Sequence, residues 1–150
     1  MTGIDLQTEN IAKLIQLALG PVFLLSGVGI TLSMLTQRLS RIVDRARTLE
    51  DLRERTTEEI RLKRIDKDLR AIWRRTKYIN GAIALSTVSG LLTTLVVTLL
   101  FASEFTALAA GVVIAVLFSA AMICLSLAFL MFLIEVRIAI NTLRIGEHRY

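Results

Sequence analysis

Glu135 is the residue best placed to do chemistry in this chain. It closes a long uncharged run that ends Phe132-Leu133-Ile134, and Arg137 follows two positions later. An ionisable group beside such a run must find a partner, and it marks either an ion or proton site or a structural ion pair. Arg38 and Arg41 leave another long apolar stretch at what should be the same level, so they join Arg137 as expected partners. Six hydroxyls form a second candidate: Ser86, Thr87, Ser89, Thr93, Thr94 and Thr98. At helical spacing Thr87, Thr94 and Thr98 fall near one face, with Ser86, Gly90 and Thr93 on the adjoining one. In a ring of subunits they would line a polar pathway together with Glu135. The alternative is that they bond the carbonyls of their own helix or pack as small side chains.

Small residues form the third pattern. Ala107, Gly111, Ala115 and Ser119 recur every four positions, and Gly27 and Gly29 flank Val28. Both arrangements let a neighbouring helix approach closely. Three helices leave little protein to cover such a ridge, so a homo-oligomer is expected. Trp73, Arg74, Arg75, Lys77 and Tyr78 mix aromatic and basic side chains in the way that suits lipid headgroups.

Enzyme chemistry has no foothold. There is no His or Cys cluster, no Gly-rich phosphate loop and no carboxylate pair within an apolar run. Cys124, the single cysteine, lies deep in such a run and suits a small buried hydrophobe. His148 is the single histidine and stands near the terminus. No catalytic residue, cofactor or metal is expected.

The elements that must position these residues follow from the segregation of apolar and charged residues. Of the 150 residues, 54% are hydrophobic and 21% charged, and mean hydropathy is +0.63. About 20 apolar helical residues cross a hydrocarbon core, where backbone polar groups must pair within the segment. The expected architecture is all-α, with three transmembrane helices and an antiparallel coiled-coil hairpin between the first and second. Residues 1–10 form a polar lead without the basic residues of a cleavable leader. The first membrane helix is expected over 11–37, the hairpin over 38–77, the second membrane helix over 78–101, and the third over 107–134. Residues 102–106 then form a short connection, and 135–150 a tail that extends the third helix.

A heptad seam runs through Leu25, Val28, Leu32, Leu35, Leu39, Ile42, Ala46 and Leu49. A second runs through Leu62, Ile65, Leu69, Ile72, Thr76, Ile79 and Ile83. Between them Thr56 and Glu59 have capping-box spacing, which puts a turn near Arg55. Asp51–Arg55, Glu59–Lys63 and Asp66–Arg70 would support the arms as i,i+4 pairs. Gly20-Pro21 interrupts the first span. It either kinks one helix, the favoured reading, or separates an interfacial helix from a span beginning at Pro21.

Orientation follows from charge. Of 18 Lys and Arg residues, Lys13, Arg137, Arg144 and Arg149 lie outside 38–77, which leaves fourteen within the hairpin. By the positive-inside rule the hairpin and C-terminus should be cytoplasmic and the N-terminus outside. The net charge of +5 then reflects topology and attraction to anionic lipid rather than binding of nucleic acid.

The run Pro21-Val-Phe-Leu-Leu-Ser-Gly-Val-Gly, with Arg38-Leu-Ser-Arg-Ile-Val-Asp-Arg-Ala-Arg and Phe132-Leu-Ile-Glu-Val-Arg-Ile-Ala, resembles a bacterial membrane-protein family catalogued only as a domain of unknown function. The resemblance covers nearly the whole chain. It implies a small three-span protein of the bacterial inner membrane and brings no activity with it. The architecture is also loosely similar to TolQ/ExbB-type stator subunits, through Ser89-Gly-Leu-Leu-Thr-Thr, although their fuller glycine pattern is missing. Two functions are therefore expected. The leading one is an oligomeric, channel-like or ion-translocating assembly. The other is a membrane-anchored scaffold whose hairpin docks a soluble partner.

Overall fold

The computed structural model describes residues 3–106 and 110–144, with side chains over 11–103 and 110–139. It is all-α. Helix α1 is Gly3–Arg55, α2 is Glu59–Thr106 and α3 is Gly111–Arg144. Each is long and apolar enough to cross a membrane, with mean hydropathy reaching 1.8, 2.0 and 2.7 in the best stretches of α1, α2 and α3. Three such helices fit a multi-pass membrane protein.

α1 passes through Gly20-Pro21 as one helix, and Pro21 is buried. Proline removes a single intrahelical bond, whereas ending a helix in apolar surroundings would strand several. The expected connection at 102–106 is itself helical, because Phe101-Ala-Ser-Glu-Phe-Thr contains no glycine or proline to stop α2. The break comes later, and Ala107 lies outside the described residues. α3 opens with Ile114 N–H donating to the Ala110 carbonyl at 3.0 Å and runs on through Glu135 to Arg144. His148 and Arg149 also lie outside the described residues.

At the α1–α2 turn, Thr56 finishes α1 rather than starting α2. Its hydroxyl donates to the Leu52 carbonyl at 2.7 Å, and its N–H to Arg53 at 3.4 Å. The first turn of α2 is closed by Leu62 N–H on the Glu58 carbonyl at 3.1 Å, and Glu59 pairs with Lys63 at 2.9 Å. Asp66 does not take Arg70. It takes Arg53 across the turn at 2.8 Å, where a fork-shaped donor meets it directly.

Two compact units divide the chain. One comprises Leu32–Ala84 and Leu127–Tyr150. Its apolar cluster joins Ala46 and Leu49 of α1 to Leu69 of α2, with Ile65 and Ile72 packed beside them. Arg53 of α1 pairs with Asp66 of α2 near the turn, while Arg38 and Arg75 meet farther along at Glu135, so these helices run antiparallel here. α2 also meets α3 closely, since a Cβ at Gly81 would lie 2.6 Å from Met131 Sδ.

The other unit comprises Met1–Thr31 and Leu85–Ser126. Apart from Pro21 and Leu125, its buried side chains are small or short: Ala18, Val28 and Thr31 on α1, Ser86, Ser89, Thr93 and Val96 on α2, Ala121 on α3. Gly90 lets α1 approach, and a Cβ there would meet Val28 Cγ1 at 3.3 Å. Gly27 and Gly29 play no such part, because nothing lies within 4 Å of a Cβ at either. Large apolar side chains such as Phe23, Leu91 and Val112 point outward, as lipid-facing positions do.

The expected seams are partly displaced. Val28, Leu35, Ile42, Ala46 and Leu49 are buried, but Leu32 and Leu39 are half-buried and Leu25 is exposed. A straight helix has 3.6 residues per turn, so a fixed seven-residue count drifts off the buried face.

Candidate functional site

The inward stripe of α3 runs Ala121, Leu125, Ala128 and Glu135, in steps of four, three and seven. Glu135 therefore occupies a core position, and its side chain is fully buried. A carboxylate can hold that place only if charged donors reach it. Two do. Arg38 of α1 donates through Nη1 to Oε2 at 3.3 Å. Arg75 of α2 donates through Nη2 and Nε to Oε1, at 2.7 and 3.1 Å. The Arg38 guanidinium also sits 4.9 Å from the Phe132 ring centroid, one turn before Glu135, in a cation–π contact.

Each arginine precedes an expected seam residue, Leu39 or Thr76, by one position and falls at helical spacing from its inward-facing neighbours. Arg38 is three residues after buried Leu35 and four before buried Ile42, and Arg75 is three after Ile72 and four before buried Ile79. The three helices thus contribute one polar layer to an otherwise apolar stack. The Arg38 side chain is 40% exposed and that of Arg75 25% exposed, so water still screens part of both cations. Two guanidiniums against one carboxylate leave the cluster with one surplus positive charge.

Of the three partners expected for Glu135, the layer contains Arg38. Arg41 and Arg137 are exposed and stand outside it. Arg75, expected among the headgroup residues, is the partner that sequence reading missed. Its position between Ile72 and Ile79 was the available signal, hidden because Thr76 fits the same heptad. Of the other headgroup candidates, Trp73, Arg74 and Lys77 are exposed and Tyr78 is half-buried. Trp73 borders a shallow groove with Val43, Ala46 and Ile72.

The hydroxyl-rich part of α2 divides by face. Ser89 Oγ donates to the Ala121 carbonyl of α3 at 2.8 Å, a hydrogen bond between helices. Thr93 is buried and its hydroxyl donates to the Ser89 carbonyl at 2.8 Å. Ser86 Oγ is buried without a hydrogen-bond partner. Thr87, Thr94 and Thr98 are exposed. Thr94 and Thr98 donate to the carbonyls of Gly90 and Thr94 at 2.9 and 3.0 Å. Gly111, Ala115 and Ser119 also face outward, and Gly111 and Ala115 border an apolar groove of about 270 Å³ with Pro21, Val96 and Phe118.

Among the described residues no group of three His, Cys, Asp or Glu side chains could hold a metal ion, and Cys124 is a half-buried free thiol. No curated protein and no solved structure matches the chain. A likeness to TolQ/ExbB-type stators is not shown. A family model described as "Protein of unknown function (DUF2721)" matches residues 18–145. The Arg38 segment, the α2 segment with Arg75 and the Glu135 segment all fall inside that match, and the chain belongs to the DUF2721 family.

Proposed function

We propose that this chain is a membrane-anchored scaffold whose charged helical hairpin is held rigidly for a soluble partner. The observation that carries the reading is the Arg38–Glu135–Arg75 layer. It joins α3 to both arms of the hairpin with charge-assisted bonds, and both carboxylate oxygens are engaged. Glu135 is thereby spent on positioning and is not presented to a water path. The basic excess of 38–77 supports a hairpin and C-terminus on the cytoplasmic side of a bacterial inner membrane, and the antiparallel arms suit a short coiled coil. The remaining surface of the arms is charged and open to a partner.

A channel-like homo-oligomer is the second reading. Outward-facing Thr87, Thr94 and Thr98 on α2, and the uncovered Gly111, Ala115 and Ser119 on α3, favour it, since subunits packed by small residues could surround a hydroxyl-lined path. Ion flux through liposomes containing the purified full-length protein separates the two. The scaffold reading expects flux no higher than in empty liposomes. Flux that falls in Thr94→Val, with assembly unchanged, supports the channel instead.

A further inference from the structure

Beside the polar layer, in the same unit, a groove of about 220 Å³ opens between α1 and α2. Arg45, Leu49, Asp68, Ala71, Ile72 and Arg75 line it. Arg45 lies seven residues beyond Arg38, and Asp68 seven before Arg75, so each repeats a helical position of the layer. Arg45 is exposed and makes no ion pair with another described residue. Arg75 belongs to the cluster that carries one surplus positive charge, and its third nitrogen, Nη1, is not used on the carboxylate. Leu49, Ala71 and Ile72 supply an apolar wall next to these donors.

We infer that this groove binds a phosphate group, with Arg45 and Arg75 donating to its non-ester oxygens. Guanidiniums match phosphate oxygens in geometry and in charge. The volume is below the usual range for a whole small molecule, so it admits a headgroup while the rest of the ligand stays outside. The apolar wall takes the carbon chain beside an esterified phosphate. Asp68 opposes the anion across the groove and limits its affinity, as a like charge must. The inference rests on the membrane placement of the three helices for its lipid source, and it is independent of whether the hairpin docks a soluble partner.

The test uses the full-length protein in bilayer discs of phosphatidylcholine, titrated with phosphatidylglycerol, and in parallel with inorganic phosphate. Both lipids carry a phosphodiester, but the choline ammonium of phosphatidylcholine is repelled by Arg45 and Arg75, so preferential binding of phosphatidylglycerol is expected. Arg45→Ala should weaken it about fivefold and Asp68→Asn should strengthen it about threefold. Both positions are exposed, so helicity and thermal unfolding should match the parent protein. Inorganic phosphate that displaces the lipid identifies free phosphate as an occupant, and failure to displace it identifies the esterified headgroup. Either result keeps the phosphate site. Equal binding of the two lipids with no binding of phosphate, or variants that bind like the parent, overturns it.

Discussion

In the unit formed by Met1–Thr31 and Leu85–Ser126, helices meet through small contacts. Gly90 admits Val28, and Ser89 reaches the Ala121 carbonyl. In the unit formed by Leu32–Ala84 and Leu127–Tyr150, a carboxylate and two guanidiniums join three helices, and an apolar cluster packs α1 against α2. The first kind of contact tolerates sliding, because neighbouring small residues offer similar close approaches. The second does not, because a shift of one residue would leave a buried charge without its partner. Register should therefore be set by the charged layer, and close approach by the glycine and hydroxyl contacts. The contrast orders the expected effects of mutation.

The largest effect belongs to Glu135→Ala, which leaves two arginines facing an empty core position. A loss of about 3 kcal/mol is expected in unfolding of the reconstituted protein, at the lower end for buried pairs because both arginines are partly wetted. Replacing Arg38, Arg75 and Glu135 together by leucine should recover most of that loss, since an apolar layer needs no compensation. Failure of the triple variant to recover would mean that the layer does more than balance its own charge.

Gly90→Leu comes next. Its side chain would press on Val28, whose branched Cβ has little freedom to move, and about 2 kcal/mol should be lost. Gly27→Ala and Gly29→Ala, with open space around them, should leave unfolding of the single chain unchanged. A loss there instead, appearing only in assembled protein, would identify those glycines as contacts between copies.

The hydroxyls give smaller changes. Ser89→Ala should cost about 0.6 kcal/mol, the average for a hydrogen bond between membrane helices. Ser86→Ala should cost nothing or stabilise slightly, because its buried oxygen has no partner to lose. A small effect is also expected for Asp66→Ala, which removes an exposed pair with Arg53. It should cost less than about 0.5 kcal/mol and vanish in high salt.

The three apolar helices and the turn after Arg55 were legible in the sequence because segregation of charge is a coarse signal carried by many residues. The end of α2 was not legible, since Glu104 looks like a loop residue although nothing nearby stops the helix. Glu135 stood out because its position at the end of an apolar run is unusual on its own. Its second partner did not, because Arg75 lies among four other interfacial candidates and only the facing of α2 distinguishes it. Helical spacing did separate Thr87, Thr94 and Thr98 from Ser86 and Thr93, but it did not show which of the two faces turns inward. A stripe that drifts along a long helix assigns faces correctly over two or three turns and then loses them.

The charged layer is tested most directly by a double-mutant cycle on Glu135→Ala and Arg75→Ala, read by unfolding of the full-length protein. Each single change leaves the other charge partly unpaired, so the double variant should be more stable than the sum of the singles implies. A coupling energy of at least about 1 kcal/mol is expected for residues bonded as these are. Additive losses, within about 0.5 kcal/mol, would contradict the layer as the contact that sets the register of the three helices.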